Sequence, residues 1–359
     1  MTFDIPTTWA TALESVCRAP RPAVACVLGA VDMGKTTFCA YLANALLARN
    51  VRPAVVDADV GQSDIGAPGT IGWGAPKGAV SHPSEIPCGG CYFVGATAPV
   101  GLLLPTVIGT KKMTDAALQS GAEVVIVNTT GLVHGSLGRE LKSRKIEILM
   151  PSFVLALQRY GELEPILRGW DHSAHVQIHR LTVSERAQRK SPSQRQATRE
   201  ERFRHYFASA QLRTISLEQA TLRETFLLNG RALPRDTCLH LSHSLRTNVL
   251  HVERSGETLV VVTDAPLNHD ALPYLRSRFN AADAMIIDHP LLVGLLVGLL
   301  DREENCLGLG LVEYFDFVRH HLALFTPVAD VERVARVVLG RVRLNRQGEE
   351  LGKLRPGEL

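Results

Sequence analysis

The stretch "GAVDMGKT", Gly29 to Thr36, fits the pattern G-x-x-x-x-G-K-[ST]. In such a loop the glycines let successive backbone N–H groups turn onto phosphate oxygens. The lysine neutralises the β- and γ-phosphates, and the hydroxyl that follows it holds Mg²⁺. Gly29, Asp32, Met33, Gly34, Lys35, Thr36 and Thr37 are therefore the expected nucleotide contacts. Further on, "AVVDADVGQSD" (Ala54 to Asp64) sets Asp57 and Asp59 two residues apart at the end of an apolar run. Alternate side chains of a strand share a face, so both carboxylates project together if the strand persists through Asp59. Asp57 closes the run and is the expected partner of Mg²⁺ or its waters. Asp59 reaches farther, where a carboxylate can accept a proton from an attacking alcohol or position a water. Residue types alone leave transfer and hydrolysis both open, and the lesser alternative is that Asp59 merely begins a turn before Gly61. Asn128, at the end of "EVVIVN", is a rival metal position, but a neutral amide is a poorer Mg²⁺ ligand than a carboxylate.

A second chemical element is "RKSPSQRQATREERFRHYF" (Arg189 to Phe207). Ser191, Pro192 and Gln194 have the spacing of a capping box with proline at the first helical position. Beyond them Arg195, Arg199 and Arg202 fall on one helical face, while Phe203, Tyr206 and Phe207 can anchor the far half. Arg180 to Arg204 holds eight basic and three acidic residues. Such a surplus suits a lid over residues 186–207 that places guanidinium groups on a transferring phosphate or a phosphodiester backbone.

These residues need a scaffold, and the chain supplies alternating β-type and helical runs from Ala23 onward: "AVACVL", a helix from about Lys35 to Arg49, "AVVDAD", "CYFVGAT", "EVVIVN", "FVLALQ" and "VQIHRL". The alternation predicts an α/β fold, a P-loop NTPase parallel sheet with helices on both faces. After Thr221 the style changes, and "LHLSHSLRTNVLHVERSGETLVVVTD" reads as strands and turns. The expected organisation is an extension over 1–22, a P-loop domain over 23–225 and a smaller β-rich C-terminal domain over 226–359. The 359 residues are 45% hydrophobic and 21% charged with a net charge of +3, so the average composition does not announce a nucleic-acid binder. Seven cysteines and no basic-apolar leader point to a reducing cytoplasm. "PLLVGLLVGLL" is too short to cross a bilayer and reads as buried core, so no membrane association is expected.

In combination the motifs resemble the polynucleotide 5'-hydroxyl kinases, a family that includes RNA kinases of tRNA splicing, ribosomal-RNA processing and mRNA cleavage, with shorter archaeal and bacterial relatives. "GAVDMGKTT" looks like the family P-loop and "DADVGQSDIGAPGTI" like its D-x-D-x-G-Q metal and acceptor motif. "NTTGLVHG" resembles its T-x-G clasp, with Leu132 where many members carry an aromatic residue, and the basic segment is similar to its arginine lid. "GLGLVEYFDF" and "LGRVRLNRQGEELG" resemble its appended β-rich domain. The resemblance implies that Lys35 and Thr36 bind phosphate and Mg²⁺, that Asp59 activates the 5'-hydroxyl, and that Gln62 and Lys190 lie near the acceptor. It also implies Thr129 and Gly131 in the clasp beside the γ-phosphate, and Arg195 and Arg199 on the lid. The implied ligands are ATP or GTP, Mg²⁺ and RNA or DNA with a 5'-hydroxyl end, with RNA-processing proteins as possible partners.

Two other functions keep the same P-loop: a non-catalytic nucleotide-binding subunit of an RNA-processing assembly, and a GTPase or ATPase assembly factor. For the last, "CGGC" (Cys88 to Cys91), with His82 as a third ligand, would be the metal-handling element, although no second C-x-x-C follows. Trp9 offers either a stacking surface for a nucleobase or a packing anchor.

Overall fold

The computed structural model describes residues 4–268, 270–355 and 358, in two compact units that meet between Arg199 and Glu200. In the first unit the chain runs through α1 (Thr7–Arg18), β1 (Ala23–Gly29), α2 (Lys35–Leu47), β2 (Pro53–Ala58), β3 (Thr70–Gly74) and β4 (Gly90–Phe93). It continues with α3 (Leu103–Gln119), β5 (Val124–Thr129), α4 (Gly135–Leu149), β6 (Phe153–Gln158), α5 (Glu164–Leu167), β7 (Gln177–Thr182) and then α6 (Pro192–Tyr206), which crosses the boundary. The sheet order is β4-β3-β2-β5-β1-β6-β7, parallel from β2 through β7, with β3 and β4 added as an antiparallel edge.

The central strands are apolar on both faces because helices cover both. Val27, Val55, Ile126 and Leu155 pack toward α1 and α2, while Leu28, Val56, Val127 and Ala156 share the other core with residues of α4 and α5. The segment before β1, expected as an extension, carries part of the first core. Trp9 is fully buried, meets the Phe38 ring edge-on at 4.9 Å and donates its indole N–H to the Thr182 carbonyl at 2.9 Å. It is a packing anchor, with both its apolar body and its polar handle committed.

The second unit contains β8 (Gln211–Ser216), β9 (Thr221–Arg223), β10 (Arg231–Ala232), α7 (Arg235–Leu245), β11 (Val249–Ser255) and β12 (Thr258–Thr263). After these come α8 (Ala271–Phe279), β13 (Asp283–Asp288), α9 (His289–Leu292), β14 (Leu295–Leu300), β15 (Cys306–Asp316), β16 (His321–Thr326), β17 (Arg336–Leu344) and β18 (Glu350–Lys353). One sheet has the order β10-β11-β12-β13 and the other β18-β17-β14-β15-β16-β8, with β9 paired to β17. Because β8 and β9 pair with strands late in the chain, the second unit begins before residue 225, where the change of sequence style falls. "LHLSHSL", read as strand, is the end of α7: its alternation mimics a strand, yet Leu241 is buried while Leu239 is exposed, and Arg246 at φ 54° terminates a helix. "PLLVGLLVGLL" lies in α9 and β14 and is largely buried core as expected, from Leu292 and from Leu295 to Leu299, with Pro290 and Val293 exposed. Among the described residues no helix is long and apolar enough to cross a membrane.

Candidate functional site

The P-loop joins β1 to α2 at the carboxyl end of the parallel strands, where such sheets collect ligands. Two residues turn the loop through the left-handed region, Asp32 at φ 62° and Gly34 at φ 77°. Gly34 does so without penalty, and Asp is one of the few side chains that tolerates it. A Cβ on Gly29 would meet the Leu157 carbonyl at 3.1 Å and the Lys35 side chain at 3.2 Å, so the first glycine is set by close packing. Lys35 is buried and donates to the Ala30 carbonyl at 2.8 Å. Burial lowers its pKa, opposed by nearby charge, of which Asp59 contributes most, ahead of Cys39, Asp32 and Asp57. Met33 packs against the hydrophobic cores, Thr36 is half-buried and Thr37 is exposed.

Asp57 lies on β2 and is 1% exposed. One of its oxygens accepts from the Asp59 amide at 3.2 Å and from Asn128 Nδ2 at 3.1 Å, and the other accepts from the Asp64 amide. Burial first, then the like charges of Asp64 and Asp59, push the Asp57 carboxyl up to about 8. Three acids are thus crowded together, and the Asn128 Oδ1 atom beside them is buried with no hydrogen-bond partner. Asp57 and the Thr36 hydroxyl are the residues here that could hold a divalent cation, completed by phosphate oxygens and water. Asn128, weighed as a rival to Asp57, is its hydrogen-bond partner. The β2 strand ends at Ala58, so strand alternation does not govern Asp59; its carboxylate accepts from the Gly61 amide at 3.2 Å and stays half-exposed.

The clasp and the lid both touch the P-loop. A Cβ on Gly131 would fall 2.4 Å from Val31 Cγ2 and 2.8 Å from the Val31 backbone, so the clasp backbone lies directly on the loop. Thr129 donates its hydroxyl to the Val27 carbonyl of β1 at 2.8 Å. On the lid, the Ser191 hydroxyl accepts from the Gln194 amide at 3.1 Å and Gln194 Oε1 from the Ser191 amide at 2.7 Å, the reciprocal capping box that the sequence spacing predicts. Asp32 accepts from the Lys190 amide at 3.0 Å and from Arg195 Nη1 at 3.2 Å. Gln62 donates to the Arg195 carbonyl at 3.1 Å. Lys190 therefore contributes its backbone, while Arg199, one helical turn beyond Arg195, is half-buried. In the second unit, Phe203 on α6 and Phe207 just beyond its end are buried, and the Tyr206 hydroxyl accepts from the Leu309 amide at 2.7 Å.

Two residues near this site carry no motif. Lys142 and Lys145 on α4 are fully buried; Lys142 Nζ reaches the Thr129 hydroxyl at 2.8 Å and Lys145 Nζ the Ala58 carbonyl at 3.5 Å. "CGGC" has a packing reason: a Cβ on Gly89 or Gly90 would lie 3.0 or 3.1 Å from the Trp73 indole, so the glycines let the chain lie flat on that ring. Among the described residues no group of three or more His, Cys, Asp or Glu side chains could hold a metal.

The family described as the P-loop of the mRNA cleavage and polyadenylation factor CLP1 matches residues 29–209, the span from the first P-loop glycine to the end of the lid. The chain belongs to this family. Within the Clp1 family it is similar to a polyribonucleotide 5'-hydroxyl-kinase of Pyrococcus furiosus, 34% identical over 99% of this chain and 97% of that protein. The corresponding protein of Methanocaldococcus jannaschii is 32% identical over 98% of this chain and 96% of its own length. The Clp1p–Pcf11p complex structure shares the fold, with a TM-score of 0.59 at 12% identity, covering 93% of this chain and 77% of that one. Family membership identifies the P-loop as a nucleotide-binding site.

Gly131→Ala forces a clash of about 1–3 kcal/mol, borne chiefly by Val31. Titration with a fluorescent nucleotide is expected to show roughly tenfold weaker binding, while Gly78→Ala, whose Cβ meets nothing within 4 Å, stays at the wild-type value. The raised Asp57 pKa also has a definite sign. Its contribution to stability is complete below the ordinary 3.8 and is lost as pH rises through about 8. Melting curves should therefore show the difference between Asp57→Asn and wild type shift in the variant's favour from pH 5 to about pH 8; a constant difference would mean that Asp57 does not titrate there.

Proposed function

We propose that this chain is a polynucleotide 5'-hydroxyl kinase, a phosphotransferase that moves the γ-phosphate of ATP or GTP to the 5'-hydroxyl of RNA. The observation that carries the reading is the convergence, at the carboxyl ends of neighbouring central strands, of the P-loop with Lys35, the turn after β2 that bears Asp59, the Gly131 backbone lying on Val31, and a lid arginine tied to the loop through Asp32. The archaeal relatives, matched over nearly their full length, bear the same activity in their names.

In this mechanism the triphosphate tail lies along the Gly29–Thr36 loop and meets the N-terminus of α2. Lys35 exchanges the Ala30 carbonyl for β- and γ-phosphate oxygens, regaining a counter-charge for its buried ammonium group. Arg195, held over the loop by Asp32, faces the same phosphate, and Arg199 follows it on the lid. Mg²⁺, when bound by Thr36 and Asp57, supplies charge neutralisation at the phosphate oxygens. Asp59 takes the proton of the 5'-hydroxyl as that oxygen bonds to the γ-phosphorus. The bond from phosphorus to the β,γ-bridging oxygen then breaks, and the nucleoside diphosphate departs. Gln62, fixed by the Arg195 carbonyl, orients the acceptor end, with Lys190 at the lid's entrance. Thr129 and Gly131 hold the clasp against the loop.

The test is incubation with γ-labelled ATP and GTP against matched 5'-hydroxyl and 5'-phosphate oligomers of RNA and DNA. Label is expected only on 5'-hydroxyl ends, with RNA preferred. Asp59→Asn should slow transfer by roughly 10²–10⁴-fold while nucleotide affinity stays within about threefold. Tight nucleotide binding with no label on any oligomer would identify a nucleotide-binding subunit instead, and full activity in Asp59→Asn would remove the proposed base.

A further inference from the structure

Helix α4 buries an unusual pair. Its inner face is formed by Leu141, Lys142, Lys145, Ile146 and Leu149, and the two lysines are 0% exposed. An ammonium group out of water costs several kcal/mol unless it is well paired, and an apolar side chain of similar volume generally serves stability as well or better. These lysines need an explanation that core packing does not supply.

Their acceptors supply one. Lys142 Nζ meets three oxygens: the Thr129 hydroxyl at 2.8 Å, the Thr130 carbonyl, and the Thr130 hydroxyl at 3.3 Å. All belong to the two residues preceding Gly131, whose backbone lies on Val31 of the P-loop. Thr129 passes the connection on by donating to Val27, just upstream of the same loop. Lys145, three residues later, reaches the carbonyl of Ala58, between Asp57 and Asp59. Ala58 and Thr129 are register partners across the parallel pair β2 and β5. One helical turn thus holds, from beneath, the adjacent strand ends that carry the acid pair and the clasp.

We propose that Lys142 is a positioning residue for phosphoryl transfer, its ammonium group fixing the Thr129–Gly131 clasp against the P-loop, with Lys145 fixing the turn that bears Asp59. The inference rests on the kinase reading and extends it to residues that touch neither nucleotide nor acceptor. Burial holds the pKa of each below the usual lysine value: Lys142 well below, with Lys145 the next cause, and Lys145 down to about 8.

Lys142→Met keeps the length and removes the donors. Transfer to a 5'-hydroxyl RNA oligomer is expected to lose roughly 10–100-fold in kcat, as for other supporting contacts one step from the chemistry. The nucleotide KM should stay within about threefold. Hydrogen–deuterium exchange of a peptide spanning 128–134 should quicken by about tenfold or more while the remaining peptides do not change. A lower melting temperature with wild-type kcat per folded molecule, or unaltered exchange over 128–134, overturns the proposal. Should Lys142→Met fail to fold, Thr130→Val removes one of the three acceptors, and wild-type kcat and exchange in that variant overturn it equally. If the wild-type chain transfers no phosphate, the kinase reading falls, and the exchange measurement, which needs no turnover, still decides whether Lys142 holds the clasp.

Discussion

Lys35 keeps its ammonium group away from water and held by a backbone carbonyl 2.8 Å distant, and much of the arrangement at the carboxyl ends of the first unit's strands follows from the need to balance that charge. A peptide oxygen is a weaker counterpart than an anion, so the loop is poised for a ligand that brings negative charge. The nearby acids cannot replace that ligand. Asp57 is itself buried and crowded by Asp64 and Asp59, while Asp32 is engaged by the lid. The site therefore gathers charge of both signs at the ends of β1 and β2, an arrangement that suits a triphosphate with its cation.

Backbone contacts set the tolerances. Three segments distant in sequence (the P-loop, the clasp and the turn after β2) converge because β1, β5 and β2 are consecutive in the sheet. Gly131 permits the clasp to rest on Val31, and Gly61 has the Thr97 carbonyl only 2.8 Å from where its Cβ would lie. Such glycines convert sheet register into active-site geometry, since any added atom must displace a neighbouring main chain. The lid is fastened differently, through the side chains of Asp32, Arg195 and Gln62. Side-chain ties of this kind can be exchanged for ligand contacts without unfolding a strand, which suits a segment that covers a substrate.

Much of this was legible in sequence for identifiable reasons. The P-loop is a local motif with its strand and helix beside it, and β6 falls on "FVLALQ" because a strand covered on both faces reads as an unbroken apolar run. The capping box was legible because both of its hydrogen bonds span only three residues. The buried role of Lys142 and Lys145 was not, because a helix with spaced lysines reads as a solvated face and only the tertiary fold turns that face inward. The division of the chain was hidden in the same way: β8 belongs to the second unit through pairing with β16, more than a hundred residues later. In α7 an alternating pattern gave the wrong element, and at Asp59 the alternation argument ran one residue past the end of its strand.

The central claim is that Asp59 faces the attacking oxygen of a nucleic-acid end across a triphosphate held by Lys35. The most direct measurement is a crystal structure of the chain with Mg²⁺, a non-hydrolysable ATP analogue and a short 5'-hydroxyl RNA. The account predicts an Asp59 carboxylate oxygen about 2.6–3.2 Å from the 5'-oxygen, with that oxygen in line with the γ-phosphorus and the bridging oxygen behind it. A complex in which Asp59 still caps Gly61 while the 5'-end meets another residue, or lies away from the γ-phosphate, would contradict it.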